Sequence, residues 1–487
     1  MTPKHGGWIV TLKGDGPLPS GMESPRAADR PRLVSRSIPL AGSVPSFRTL
    51  VDAMETPRTV WNAADEARVV AGGAAATLTA DGPDRFTEIR TAAERLFETG
   101  DVHAGTEAAC PRLFGGFAFH GDGGGNVADD TAGDAADDTV DGDSRQSPWA
   151  DFPDARFVFP RVQVTQTNSG PWLTVNAVGP AATPAAVEAK LDDERERLMS
   201  CAETAAAAPR PGITDRRRTT TPTGWRTAVR NAVERIDAGT LQKVVLAQAL
   251  EADLGDDLAI PDILDRLSDK YPDCTRFLVE PDSEPPAAFF GATPERLVSL
   301  RGRTVETGAL AGTTGRGETP AEDEWLADEL LTDEKNVHEH ELVAETIREQ
   351  LAPFAASVSV GERGIKRLAT VQHLHTPITA ELADDTHVLD VVEALHPTPA
   401  VGGLPPDRAL ETIRETEPFD RGWYAAPVGW IDAAGNGTFA VGLRSAVATR
   451  RRATLFAGVG IVDDSDPDAE WDEVELKFRP ILDELEA

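Results

Sequence analysis

Residues 242–250, QKVVLAQAL, constrain the fold more than any other stretch of the chain. The run is short, apolar and rich in β-branched residues, and it reads as a buried strand. Its second residue is a lysine. Side chains alternate along a strand, so Lys243 shares a face with Val245, Ala247 and Ala249. The fold must therefore give an ammonium group a place on an apolar face. One solution is an edge where the head reaches solvent. The other is an enclosed site, where desolvation or a nearby cation lowers the lysine pKa and makes it a usable general base.

The rest of the chain alternates strand-like and helical stretches. EARVVAGGAAATLTADGP and the start of RLFGGFAFHGDGGGN read as strands, and FTEIRTAAERLF reads as a helix. AAVEAKLDDERERLMSCAETAAAAPRPG reads as a helix running into a linker. In TGWRTAVRNAVERIDAG, Trp225, Val229, Val233 and Ile236 recur at helical spacing, with Thr223 as N-cap and Gly239 as stop. DEKNVHEHELVAETIREQL is a second amphipathic helix through Val343, Ile347 and Leu351. A third starts at Asp466, with Pro467 in its first turn. The opening segment GDGPLPSGMESPRAADRPR and the Gly/Asp-rich insertion near 121–146 read as irregular, solvated loops. That insertion lacks the spacing and closing Glu of a Ca²⁺-binding EF-hand loop.

Charge narrows the partners. The 487 residues carry 81 Asp+Glu against 48 Lys+Arg, a net charge of −33. Such a surface argues against nucleic acid and anionic membranes as partners. Acidic, lysine-poor surfaces suit high salt, and a halophilic host is expected. Cys110, Cys201 and Cys274 are widely spaced and include no CxxC pair, which fits a reducing cytoplasm. No apolar run approaches the ~20 residues of a membrane span, and the N-terminus lacks a signal-peptide pattern. A cytoplasmic location is expected.

Several residues are candidates for chemistry, each with a plainer alternative. Glu295, in FFGATPERLV, is either a turn glutamate or, if buried, an acid that keeps its proton near neutrality. Glu339 and Glu341 flank His340. Glu470, Glu473 and Lys477 fall on one helical face, as a solvated ion-pair face or as part of a hard-cation site. Carboxylates from two helices suit Mg²⁺; HExxH is absent, so a zinc site is not expected. Gly458 and Gly460 interrupt a strand-like run, which invites close approach by a ligand. Arg444 ends an apolar strand and needs an anionic partner. Together these groups suit a small polycarboxylate bound through Mg²⁺.

The collinear motifs KVVLAQ, FFGATPERL, ETGALAGTTGRG, DEKNVHEHELV, VQHLHTPI, LHPTPAVGG, EPFDRGWYAAPVGW, VGLRSA and LFAGVGIVDDSDPDAEWDEVELKF resemble those of the chorismate-utilising enzymes. Within that family the chain is similar to the isochorismate-forming branch of the menaquinone type. The resemblance is specific over 214–487 and weaker in LFGGFAF and SPWADFPDARFVFPRV. It implies an α+β fold of two large, mostly antiparallel sheets facing each other with helices outside. Residues 1–213 would contribute strands to this unit, and 214–487 would form its chorismate-binding catalytic region. The resemblance further implies an Mg²⁺-dependent isomerase, a monomer, with chorismate as substrate. Lys243 would be the base that activates water and Glu295 the acid. Glu339 and Glu473 would hold Mg²⁺, with Glu470 in support. Arg444, Lys477, Gly458 and Gly460 would hold substrate carboxylates, and Gly312 and Thr313 would lie near the ring hydroxyl.

Three positions speak against the sister activities. Anthranilate-type relatives carry Gln at the Lys243 position. Aminodeoxychorismate-type relatives place a lysine where this chain has Ala311. Salicylate synthases tend to have Thr where Ala400 stands. A non-catalytic binding protein on the same fold would be expected to have lost part of the Lys243, Glu295, Glu339 and Glu473 set.

Overall fold

The computed structural model describes residues 8–11, 32–41, 44–121, 147–203, 207–368 and 371–486. Most of the opening segment and nearly all of the Asp-rich insertion, both expected to be loops, lie outside the described residues. The described chain is α+β, with ten α-helices and 22 strands. Only two of the described pairings are parallel, Trp8–Thr11 with residues 76–79 and Leu33–Pro39 with Gly100–His103. No helix of the described residues is long and apolar enough to cross a membrane.

The ladders join all 22 strands into one network, and two long strands make the junction. Arg68–Ala80 and Ala155–Thr167 pair along their length, with a register shift between Ala74 and Ala76. From the first half of Arg68–Ala80 one branch runs through Arg58–Asn62, Thr275–Glu280, Ala288–Thr293, Ser445–Thr449 and Arg452–Ile461 to Lys243–Leu254. From the first residues of Ala155–Thr167 a second branch runs through Arg112–Phe117, Pro427–Asp432, Gly437–Val441, Arg296–Arg301 and Thr304–Gly315 to Val371–Leu382. Strands that bend at a bulge and serve two sheets are a usual way of turning a corner. The two sheets expected from the sequence are thus branches of a single network.

An aromatic cluster packs where the first branch meets the connecting loops. Trp149 stacks on Phe456 at 5.4 Å and meets Phe289 edge-on at 5.3 Å, while Phe152 meets Trp423 at 5.4 Å. The indole N–H of Trp423 donates to the Pro153 carbonyl, and that of Trp149 to the Asp420 carbonyl. Both large rings therefore bury area without stranding a donor.

The helices follow their caps. Asp333 caps Glu334–Leu351, and Asp466 caps Pro467–Leu485. The helix containing Trp225 starts two residues earlier than the sequence suggests. It spans Pro222–Asp237, and Thr221, not Thr223, accepts the Gly224 N–H. Pro222 decides this, because proline suits the first helical position and lacks the N–H that a cap would have to satisfy.

Candidate active site

The strand Lys243–Leu254 has an incomplete outer edge, and the site grows from that gap. Gly403–Leu404 pairs with residues 243–244, and Ile213–Arg218 with residues 250–254. Between them, Arg421 donates to the Val245 carbonyl at 2.8 Å and Glu417 accepts the Ala247 N–H at 2.7 Å. Arg421 and Glu417 also pair with each other at 2.6 Å, both buried. Two side chains thus stand where a strand neighbour is missing.

The alternation expected from QKVVLAQAL is present. Lys243 and Val245 line one cavity of about 260 Å³ between the two branches. Lys243 is only 1% exposed. Its Nζ lies 2.6 Å from Glu339 Oε1, on the helix Glu334–Leu351. Gly460 makes room for this pair: a Cβ there would meet Lys243 Cε at 2.8 Å and Glu339 Oε1 at 3.1 Å. His340 turns to a different face of its helix, where Nε2 lies 2.8 Å from Thr376 Oγ1. Glu341 leaves the cavity as well and pairs with Arg363 at the surface.

The glycines of the strand Arg452–Ile461 offer donors. Gly458 and Gly460 stand opposite Ala247 and Val245, whose own polar groups are bonded elsewhere. A residue in an antiparallel ladder turns its N–H and C=O to one side, so both glycines present theirs to the other edge. The neighbouring strand covers that edge only as far as Phe456. The Gly458 carbonyl accepts Lys477 Nζ at 3.0 Å, which leaves its N–H facing the cavity. Lys477 also pairs with Glu473 at 2.7 Å, one turn earlier on the helix Pro467–Leu485.

Glu295 comes from the turn that joins Ala288–Thr293 of the first branch to Arg296–Arg301 of the second, and is 7% exposed. Its N–H donates to Thr293 Oγ1 at 3.3 Å, and its carbonyl accepts the Val441 N–H at 3.0 Å. Burial pushes its carboxyl up to about 7, against the downward pull of Lys366, Lys243 and Arg444. Glu470 is also pushed up to about 7, first by burial and then by the like charge of Glu473. Glu473 is held below the usual range: burial acts to raise it, and the cations Lys477, Arg444 and Lys335 together more than offset that.

Arg444 has left-handed backbone, with φ of 49°, which is uncommon outside glycine and concentrates at functional sites. Its guanidinium lines the cavity and has no hydrogen-bond or ion-pair partner among the described residues. The anionic partner expected for this arginine is therefore not a residue of the described chain. Opposite it, the strand Thr304–Gly315 bulges between Ala311 and Thr313, with Gly312 at φ of +71°. The bulge turns Thr313 toward His373, whose Nδ1 lies 3.1 Å from the hydroxyl. Burial drops the His373 pKa to about 3, so its ring is neutral.

All twelve site residues singled out from the sequence line this one cavity: Lys243, Glu295, Gly312, Thr313, Glu339, Ala400, Arg444, Gly458, Gly460, Glu470, Glu473 and Lys477. The polar residues missed are Lys335, Asn336, His373, Arg421 and Tyr424, which also line it. All five fall inside the quoted motifs DEKNVHEHELV, VQHLHTPI and EPFDRGWYAAPVGW, so a signal existed, but it carried no role.

The family model for chorismate binding enzymes matches residues 21–486. The chain belongs to the chorismate-binding enzymes. Among members of that family it is 36% identical over 465 residues to the salicylate biosynthesis isochorismate synthase of Pseudomonas aeruginosa, covering 95% of this chain and 92% of the relative. It is 35% identical to isochorismate synthase MenF of Bacillus subtilis, over 78% of this chain and 75% of that one. The solved structure of MenF, the menaquinone-specific isochorismate synthase from Escherichia coli, matches with a TM-score of 0.74 at 25% identity, covering 94% and 95% of the two chains. Anthranilate synthase component I from Streptococcus pneumoniae shares the fold, with a TM-score of 0.65 at 21% identity over 96% of this chain and 94% of that one. The α+β architecture is thus that of the chorismate-binding enzymes.

Three carboxylates of the cavity are candidates for a cation. Among the described residues, no three acidic, histidine or cysteine side chains converge closely enough to hold a metal by themselves. The donor set is nonetheless all oxygen, from Glu339 on one helix and Glu470 and Glu473 on another. That suits Mg²⁺, which takes one or two carboxylates and completes its shell with water and substrate oxygens. The mutual repulsion of Glu470 and Glu473 is a charge that a cation would relieve.

Proposed function

We propose that this cavity converts chorismate to isochorismate. The observation that carries the reading is the placement of a buried lysine on one branch and a buried, proton-retaining glutamate at the turn between the branches, lining one cavity with an arginine that has no ion-pair partner among the described residues. Arg444, Lys477 and the N–H groups of Gly458 and Gly460 bind the substrate carboxylates. Lys243 takes a proton from water, which attacks C2 of the ring. The double bonds shift, and the C4 hydroxyl leaves as water with the proton of Glu295. A glutamic acid near pH 7 is suited to that donation, because half of it is still protonated at neutrality. Mg²⁺ held by Glu339 and Glu473, with Glu470 beside them, would supply positive charge for the ring carboxylate. To bind it, Glu339 and Glu473 must give up part of their pairing with Lys243 and Lys477.

The test is product analysis. Chorismate is incubated with purified protein, without ammonia, in the presence and absence of Mg²⁺. Isochorismate that forms only with the metal is expected. Salicylate and pyruvate formed by the enzyme would instead mean that the site carries a second elimination and that Ala400 does not prevent it. No turnover under any of these conditions would favour a binding protein on the enzyme fold.

We assign the product to menaquinone supply, on the LFGGFAF motif and the coverage shared with the Escherichia coli relative. The name of the Pseudomonas relative points to salicylate instead. Loss of menaquinone from a deletion strain is the expected result, and unchanged menaquinone would overturn the assignment.

A further inference from the structure

Glu295 has two faces. One looks into the substrate cavity. The other looks into a second cavity, which Pro294 and Leu310 also border. Lys366 sits in that second cavity, on the short strand Gly364–Arg367. It is half-buried, and its Nζ donates to the Pro294 carbonyl at 2.6 Å. No carboxylate lies within ion-pair reach of Lys366 among the described residues, in a chain where most arginines and lysines have one. The backbone around the acid is therefore bonded on three sides: Thr293 takes the Glu295 N–H, Val441 donates to its carbonyl, and Lys366 holds the carbonyl just before it.

We propose that Lys366 is a positioning residue for the acid, clamping the Pro294–Glu295 turn from behind so that the Glu295 carboxyl stays turned into the substrate cavity. The inference rests on the reading of Glu295 as the acid. A lysine used only for packing would do as well with its head in solvent, whereas this one commits a partly desolvated ammonium to a single backbone carbonyl. Burial lowers the Lys366 pKa. Its charge is also the largest of those that pull the Glu295 pKa down. The groups around the pair are few. Glu295 faces Lys243, Arg444, Tyr424 and Thr398 from the other elements. Lys366 faces Cys274, Asp273 and Arg296, and His373 and His375 feel its charge. Cys274 is pushed up to about 11 by burial and stays a thiol at neutral pH. Lys366 thus has two effects on the acid: it fixes the turn, and it keeps the carboxyl from holding its proton to still higher pH.

The experiment is the pH profile of kcat for the wild type, Lys366→Met, Lys366→Gln and Lys366→Arg, with Glu295→Gln alongside. Activity falls as the acid loses its proton, so the alkaline limb reports Glu295. Removing a nearby cation disfavours the carboxylate, and in Lys366→Met the limb moves up by roughly one pH unit. The plateau kcat falls several-fold, with KM little changed. Lys366→Gln keeps a donor for the Pro294 carbonyl without the charge: the limb moves, and the plateau recovers. Lys366→Arg keeps the wild-type limb. A limb that stays put in Lys366→Met while activity drops would reduce Lys366 to a structural residue and overturn the proposal. So would a limb that moves equally in Lys366→Arg. Full activity in Glu295→Gln is the separate result that would remove the acid itself.

Discussion

Replacing Lys243 by alanine is expected to lower kcat by about 10²–10⁴-fold, the usual contribution of a positioned general base, while KM for chorismate changes far less. The loss follows from placement. Lys243 is 1% exposed and is aimed into the cavity by the strand register. Val245, two residues on, shares that face. Alanine leaves the backbone ladder intact, so circular dichroism should match the wild type. A modest stability cost is expected, because Glu339 loses its partner at 2.6 Å. Glu339 opens onto the cavity, however, and water reaches it there. Lys243→Arg keeps the charge and the pairing but not the ability to give up a proton, and it should be nearly as inactive as the alanine variant. Isochorismate formation at the wild-type rate in either variant would remove Lys243 as the base.

Arg421→Ala is expected to cost about 3–5 kcal/mol of stability, the range for breaking a buried ion pair from one side. Arg421 and Glu417 side chains are 1% and 3% exposed. Arg421 also donates to the Val401 and Val245 carbonyls, so its removal strands two backbone acceptors and one carboxylate. Because these contacts complete the edge of the Lys243 strand, kcat should fall as well. The check is the midpoint of denaturant unfolding for Arg421→Ala, Glu417→Gln and the double variant. The double variant should lose less than the sum of the singles, since each single leaves a charged or polar group behind. Additive losses would mean that the two side chains do not act as a unit.

Much of this was legible in the sequence because the information was local. Alternation in QKVVLAQAL placed Lys243 on the face of Val245, Ala247 and Ala249, leaving open an edge or an enclosed site, and helical spacing placed Glu470, Glu473 and Lys477 on one face. The collinear motifs then supplied the company these residues keep. What was not legible depends on distant pairings. Nothing in EPFDRGWYAAPVGW says that Glu417 and Arg421 close a gap in a strand some 170 residues earlier. GERGIKRL is an unremarkable charged turn until Lys366 is seen behind Pro294. The pairing of Lys243 with Glu339 likewise joins two residues that the motifs assign to separate tasks, proton transfer and metal binding. The misplaced cap at Thr223 was a local error, since Pro222 was there to be read.

The first strand of each branch bears on how the chain is made. The strand Arg58–Asn62 waits for residues 275–280, and Arg112–Phe117 for residues 427–432. On a ribosome the early segments emerge long before these partners exist, so they leave the exit tunnel with bare edges. Pairings this distant in sequence fold slowly, and unpaired edges recruit other chains. The protein therefore spends most of its synthesis as a segment that cannot finish its own sheet, the state in which chaperones and translation rate bear on whether it folds or aggregates.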